Sequence, residues 1–588
     1  MKKRNQRIMS LLLISALSMS AMLAGCGSSS QESASADTKA ETAAQAEAPE
    51  STAAESDTAA DTADAAAESA EPGDNKLVIA LESSPLITDY EDNDLTKYFE
   101  ETLGIDLELQ LLPSTADEIR TKVSLMVSSS EELPDVLITD DLTTEMILQY
   151  GMDGIFLPIQ DYMLDADKMP NYNSIPDEDR ELMTISSTMA DGNMYSFPRY
   201  EDATWNMTPY RYYLNFTWLD ALGLSVPTTT DELKEVLIAF RDQDPNGNGQ
   251  KDEIPLYGYA GGTYGQNIVA ALMNSFVYWN SGSNKGLALD ASGENVIAPF
   301  TTEEWKEGLH YLNDLYNEGL LAPDIFTVDE TQFKAVLNSE TNVVGLVSAG
   351  SNGNWADSAN NPNLKEMDMV EPFTGPKGVC YTPFSGDLTV QAMFIFSDSD
   401  KVDLAVKFAD EHYNDYSART IRYGQEGTHW TMEEDQLEGL TNAYVSDGLY
   451  DKITMALIKN IWNENNNVIW RNVGPRYMSR ETSSTWCELG KEYDPNGNSR
   501  WNSFNMKYYN DKHPEKILPT LKYTMEESEQ IMDATTNIPD YISQSIAEFV
   551  TGAKDIEADW DAYLGVLENM GLSVWLSAAQ DAYERTLE

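Results

Sequence analysis

The sequence predicts an α/β fold organised around a parallel sheet, in a chain long enough for two or more domains. Three observations lead there. Short apolar runs alternate with helix-like stretches between residues 77 and 138. The globular part runs from about Lys76 to Glu588, more than 500 residues, which exceeds one ordinary hydrophobic core. Beyond the first 25 residues, no apolar run reaches the roughly 20 residues that cross a bilayer.

Each element follows from its local pattern. Leu77-Val78-Ile79-Ala80-Leu81 reads as a buried strand. Residues 94–103 fit a helix, 105–112 a second strand, 116–128 a helix and 134–138 a third strand. Strand, helix, strand, helix, strand implies parallel pairing. Ligands of such sheets sit outside the carboxyl ends of the strands. Further on, 212–215 looks like a strand and 216–222 a short helix ended by Gly223. Thr229 as N-cap with Glu232 three residues on makes a capping box. Leu233, Val236, Leu237 and Phe240 then share one apolar helix face.

Charge narrows the function classes. Asp and Glu number 98 against 38 Lys and Arg, for a net charge of −60. So acidic a surface argues against nucleic acid and against anionic ligands. Residues 27–74 hold one Lys and no aromatic or β-branched aliphatic residue, so they read as a self-repelling tether that cannot bury a core. The four His (His310, His412, His429, His513) lack metal-site spacing. Phosphate-loop, nucleophile-elbow and repeat patterns are not found. Cys380 and Cys487 either pair or stay as two thiols, since spacing alone does not give their distance.

The start of the chain has its own pattern. Lys2, Lys3, Arg4 and Arg7 precede an apolar run over residues 11–23 and small residues at a processing point. Leu23-Ala24-Gly25-Cys26 resembles a bacterial lipobox. The resemblance implies that residues 1–25 are a signal peptide and that Cys26 becomes a lipidated N-terminus, with 26–74 the tether. Two acyl chains suffice for stable anchoring to a membrane.

The strongest chemical motif is residues 242–253. Oxygen-bearing side chains recur at alternate positions, with Gly where the chain turns sharply. A Ca²⁺ ion needs six to eight oxygens at about 2.3–2.6 Å around such a loop. Two registers fit. In an EF-hand register Asp242, Asp244 and Asn246 come first, Gly247 turns and Glu253 closes. In a shortened register Asp244, Asn246 and Asn248 come first, Gly249 turns, Gln250 gives its carbonyl, and Asp252 and Glu253 close. The shortened one is preferred, because it uses every carboxylate after Pro245. The expected role is a structural staple. A similar run at 492–498 lacks a closing acid and reads as a turn.

Several segments together resemble a known family. They are residues 191–198 (Asp-Gly-Asn-Met-Tyr-Ser-Phe-Pro), 214–223, 227–229, the loop 244–253, 422–430, 518–520, 549–552, Trp560, Tyr563 and 570–572. They are similar to extracellular solute-binding proteins of family 1, nearest its long, calcium-bearing lipoprotein branch of LipO-like and alginate-oligosaccharide-binding type. The family's Asn-Lys-x-Trp-Leu appears as Asn215-Phe216-Thr217-Trp218-Leu219, without the Lys. The resemblance implies a two-lobed periplasmic-binding-protein-like α/β fold whose discontinuous lobes meet at a hinge. The expected division is 75–198 in lobe 1, 199–384 in lobe 2, 385–460 back in lobe 1, and 461–588 in lobe 2 with C-terminal helices. It also implies an ABC permease and ATPase as partners, a monomer anchored on the outer face of the cytoplasmic membrane, and binding without catalysis.

A sugar ligand needs flat apolar faces against its C–H surfaces and planar polar groups for its hydroxyls. Trp205, Trp279, Trp355, Trp430 and Trp470 lie in loop-like polar contexts. By position within the resemblance Trp355 and Trp430 lead as stacking platforms, followed by Tyr195 and Trp470. Arg199 and Arg211 flank the implied first crossover, where they bond either ligand or a residue of the other lobe. The acidic charge favours a neutral oligosaccharide. The competing functions are an extracellular glycan-active enzyme, for which no motif speaks, and a binder of peptide or other solute.

Overall fold

The structure, a computed structural model, describes residues 75–587 apart from 130–131, 263, 358–360, 387, 460, 462–464, 472 and 494–499. The expected signal peptide, Cys26 and the tether lie outside the described residues, as do residues 494–498 of the predicted turn at 492–498. In chain order the strands are β1 (Lys76–Glu82), β2 (Asp106–Leu112), β3 (Val136–Ile138), β4 (Phe197–Glu201), β5 (Arg211–Asn215), β6 (Ile254–Tyr257), β7 (Ala288–Leu289), β8 (Val296–Ile297), β9 (Val344–Ala349), β10 (Met367–Val370), β11 (Thr389–Ile395), β12 (Trp430–Thr431), β13 (Met455–Leu457), β14 (Arg476–Met478) and β15 (Trp486–Glu488).

Two α/β lobes arise from two main sheets. The first lobe holds a six-stranded sheet in the order β14-β4-β11-β3-β1-β2. β1 pairs in parallel with β2 and β3, and β14 with β4. β11 runs antiparallel between β3 and β4, so the parallel strands read from residues 77–138 belong to a mixed sheet. That strand lies some 250 residues after β3 in the sequence, out of reach of a local pattern. The second lobe holds the sheet β10-β5-β9-β6. Each sheet buries its own apolar cluster, with Leu77, Ile79, Val136, Phe197 and Ile395 in one and Tyr213, Leu214, Leu256, Leu346 and Val347 in the other. The first sheet buries a second cluster with Ala80, Leu137 and Phe394, and a small sheet, β12-β13-β15, adds another around Trp430, Met455 and Leu457.

The predicted local elements form as read. Helices span Asp94–Leu103, Ala116–Ser128 and Phe216–Leu222, the last ended by Gly223 in the left-handed region at φ 66°. The helix Thr230–Asp242 buries Leu233, Val236, Leu237 and Phe240. Its cap differs in detail: Thr229 accepts from the Glu232 amide, but the Glu232 carboxylate reaches the amide and hydroxyl of Thr228, one residue earlier than a capping box requires. Among the described residues no helix is long and apolar enough to cross a membrane.

The chain passes between lobes from β4 to β5 and from β10 to β11. The helix Arg500–Tyr508 then buries Trp501 in the second core, so a third passage precedes it. The expected division placed residues from 461 in the second lobe, but β14 at 476–478 pairs with β4 of the first. Likewise β4 continues through Glu201, past the expected change at 198. The lobes also touch away from these passages. Lys522, beside Leu521 of the second core, donates to the carbonyls of Ile185, Ser186 and Thr188 at the end of the helix Asp177–Ser187.

His412 shows how the first core titrates. Its ring stacks on Phe99 with centroids 4.5 Å apart, and Nδ1 lies 2.8 Å from the Phe408 carbonyl. Burial pushes the imidazole down to about 4 from an ordinary 6.5. The unfolded chain therefore takes up this proton at higher pH than the folded one. The stability tied to neutral His412 is complete above pH 6.5 and is lost as pH falls toward 4. Urea unfolding at stepped pH should show that decline, and His412→Phe should flatten it.

Candidate functional site

The site begins where the parallel strands of the first lobe end. β1, β3, β4 and β14 point the same way, so Glu82, Thr139-Asp140, Glu201-Asp202 and Ser479-Arg480 gather at one edge. The Thr139 hydroxyl donates to Glu82 at 2.8 Å. Arg199 pairs with Asp140, and Arg480 with Asp202 at 3.1 Å. Arg476, whose side chain is 0% exposed, donates to Glu201 at 2.7 Å, and Arg422 approaches the same carboxylate at 3.5 Å.

Electrostatics separate these carboxyls. Burial drives Glu201 upward, but Arg476 and Arg422 outweigh it and hold the group below its ordinary value. For Asp140 burial wins over Arg199, and the carboxyl is raised. Burial lowers the Arg476 guanidinium to about 10, so it stays charged at neutral pH. Glu201, Arg476 and Asp140 were missed in the sequence. For Glu201 and Asp140 a signal was present, since each is a charge on or just after the carboxyl end of an apolar strand, whereas Arg476 opens β14.

The second lobe meets this edge through the first passage. Arg211 donates Nε to the Thr208 carbonyl at 3.1 Å and to Asn505 Oδ1 at 2.9 Å, and its terminal nitrogens donate to the carbonyls of Gly350 and Trp205. The Tyr264 hydroxyl also donates to the Trp205 carbonyl, at 3.2 Å. Trp205 is thus held by its backbone while its ring stays partly exposed. Gly265 permits this arrangement: at φ 81°, a Cβ there would lie 2.0 Å from the Pro209 carbonyl.

A cavity of about 600 Å³ opens beside Trp205. Asn502 of the second lobe lines it, together with Thr441, Asn442, Tyr444, Ser483, Ser484, Trp486, Cys487, Glu488 and Lys491 around the small sheet. Asn442 braces this wall by donating to the carbonyls of Ser484 and Trp486, both at 2.8 Å. Cys380 and Cys487 are free thiols.

The structure does not gather the other expected ligand residues here. Trp355, Trp430 and Trp470 are no more than 1% exposed. Trp355 packs against Tyr213, Trp430 donates to the Gly424 carbonyl, and Trp470 donates to Thr96 Oγ1 at 2.9 Å. Tyr195 packs over Gly151 inside the first lobe and bonds Asp191 at 2.6 Å. These four are core residues, because tertiary packing closes over their polar surroundings. Trp279 lines a separate cavity of about 370 Å³ with Lys285 and Pro539. Arg199 and Arg211 stand at the first passage, engaged by Asp140 and by backbone carbonyls respectively.

The loop 242–253 turns through Asp244 (φ 47°), Gly247 (φ 70°) and Gly249 (φ 76°). Asp244 accepts from the Gly249 amide at 3.1 Å, and the Asn246 and Asn248 amides both donate to Asp252. Asp242 is turned onto Arg241 at 2.8 Å. Glu253 has a buried oxygen with no hydrogen-bond partner, and burial raises its carboxyl. Among the described residues no three His, Cys, Asp or Glu converge as a metal centre. The Gln250 amide N–H is spent on Asn248 at 2.7 Å.

The Glu201–Arg476 pair gives a direct test of the strand-end network. Glu201→Gln should lower stability by about 3–5 kcal/mol, the usual result of stranding a buried charge. Urea unfolding of the wild type and variant measures this.

Known proteins share this architecture. A family model described as bacterial extracellular solute-binding protein matches residues 84–414, more than half of the chain. The fructooligosaccharide ABC transporter substrate-binding protein FusA of Streptococcus pneumoniae is 24% identical over 466 residues, covering 78% of this chain and 81% of that one. Lipoprotein LipO of Bacillus subtilis is 24% identical over 354 residues, covering 58% and 64%. In structure, FusA with kestose superposes with a TM-score of 0.66 at 22% identity, over 87% of this chain and 99% of that one. An extracellular solute-binding protein from Bifidobacterium longum subsp. infantis reaches 0.71 at 20% identity, over 88% and 100%. Two α/β lobes linked by repeated passages, and a sequence match spanning most of the first lobe and much of the second, place this chain in the family of bacterial extracellular solute-binding proteins.

Proposed function

We propose that this chain captures an oligosaccharide between its lobes and hands it unaltered to an ABC permease and ATPase. The observation that carries this reading is the cavity of about 600 Å³ at the first passage. Its partly exposed Trp205 and Trp486 offer flat apolar faces, and Thr441, Ser483 and Asn502 offer hydroxyl and amide groups. FusA, of similar fold, is named for fructooligosaccharides. On this reading Cys26 carries the lipid, and the acidic tether holds a monomeric body away from the outer face of the membrane. Thermal-shift measurements with oligosaccharides and with peptides test it. A bound sugar at a hundredfold excess over its Kd should stabilise by about 2.7 kcal/mol. A shift with peptides alone would favour the competing solute class.

The loop 242–253 supports a calcium staple in the shortened register. The Arg241 pair takes Asp242 away from the loop, while Asp244, Asn246, Asn248 and Asp252 keep their hydrogen bonds within it. The partnerless buried oxygen of Glu253 fits a hard cation better than it fits an empty turn. A FusA variant is described as an EF-hand mutant, so a comparable loop exists on this fold. Chelation by EDTA should lower the melting temperature of the wild type, and Glu253→Ala should reproduce the loss and remove the response to chelator. An Asp242→Asn variant that behaves like Glu253→Ala would instead favour the longer register.

A further inference from the structure

Resting on the oligosaccharide reading, we infer that the cavity beside Trp205 selects its sugar by charge, with Glu488 and Glu492 excluding uronates and Ser483 accepting or donating to a sugar hydroxyl. The balance of charge along the wall carries the argument. The cationic group there is Lys491, and its ammonium is already paired with Glu488. Glu492 then leaves the lining with an excess negative charge, and no arginine contributes to it. A planar carboxylate is best held by an arginine fork, which this wall lacks. The strand-end arginines do not supply one: Arg199, Arg476 and Arg480 each hold a carboxylate of the protein. A uronate entering the cavity would therefore meet like charge with no compensating partner.

Ser483 supplies the complementary attraction. It is 1% exposed, lines the cavity, and its hydroxyl has no hydrogen-bond partner. A buried hydroxyl left this way is unfavourable, and a neutral sugar hydroxyl relieves it. The wall that presents it is braced by the two bonds from Asn442. Cys487 lies in the same wall and reports on occupancy, although burial and the neighbouring Glu488 push its thiol up to about 11.

Titration calorimetry of the full chain with kestose, maltotetraose, xylotetraose and tetragalacturonate tests the inference. At least one neutral sugar should bind, with tetragalacturonate weaker by tenfold or more. The double variant Glu488→Gln, Glu492→Gln should narrow that gap by strengthening tetragalacturonate. Ser483→Ala should weaken the neutral sugar by about tenfold, the equivalent of 1.4 kcal/mol. On unmutated protein, the bound neutral sugar should slow iodoacetamide labelling of Cys487 at alkaline pH, read by peptide mass. Tighter binding of tetragalacturonate by the wild type overturns the charge selection while leaving an oligosaccharide binder in place. Labelling that ignores the bound sugar overturns the location. Binding of peptides with no response to any sugar overturns the underlying reading instead.

Discussion

The first lobe depends on an ion pair placed where water does not reach. Arg476 enters the sheet edge on β14 and meets Glu201, the last residue of β4, across parallel pairing that sets Arg476 opposite Arg199. Neither charge is tolerable there alone, because a buried ion without its partner costs several kcal/mol. The pair therefore fixes two things together. It holds a strand contributed by residues 476–478 against one from residues 197–201, and it sets the point at which the chain leaves for the second lobe. Arg422 leans on the same carboxylate, so the helix Asp415–Tyr423 is tied to the junction as well.

Arg211 uses its nitrogens on carbonyls and on Asn505, which positions the backbone of Trp205 while leaving its ring partly open. The small sheet then supplies the facing wall. The cavity thus has the anchored backbone of Trp205 on one side and a braced strand on the other, an arrangement that favours a preformed pocket over one assembled by its ligand.

Local patterns in the sequence revealed local structure well. The alternation from residue 77 to 138 gave the opening strands and helices, because each of those segments buries one face against its immediate neighbours. The turn chemistry of 242–253 was equally legible, since positive φ at Gly247 and Gly249 is a property of the residues themselves. Long-range facts were not. β11 inserts antiparallel into a parallel sheet, and nothing near residue 389 announces its neighbours. The tryptophans were the harder lesson. Trp355, Trp430 and Trp470 sit in polar sequence yet are buried, because burial of a large ring is decided by what folds over it. Trp205 and Trp486 look no different in sequence, and Trp486 drew no notice at all. The charged junction is assembled from residues 140, 199, 201, 422 and 476, so only the rule that charges cluster at strand ends could have pointed to it.

The Lys522 contact has a bearing on how the lobes move. Its ammonium caps carbonyls at the end of the helix Asp177–Ser187, where backbone acceptors run out of intrahelical donors. Gln391 of β11 donates to one of the same carbonyls, at 3.1 Å, so the cap stands beside the second passage. Pulling the lobes straight apart would strip the helix of that cap. Swivelling about it would not. The contact therefore opposes parting of the lobes at this point more than rotation about it.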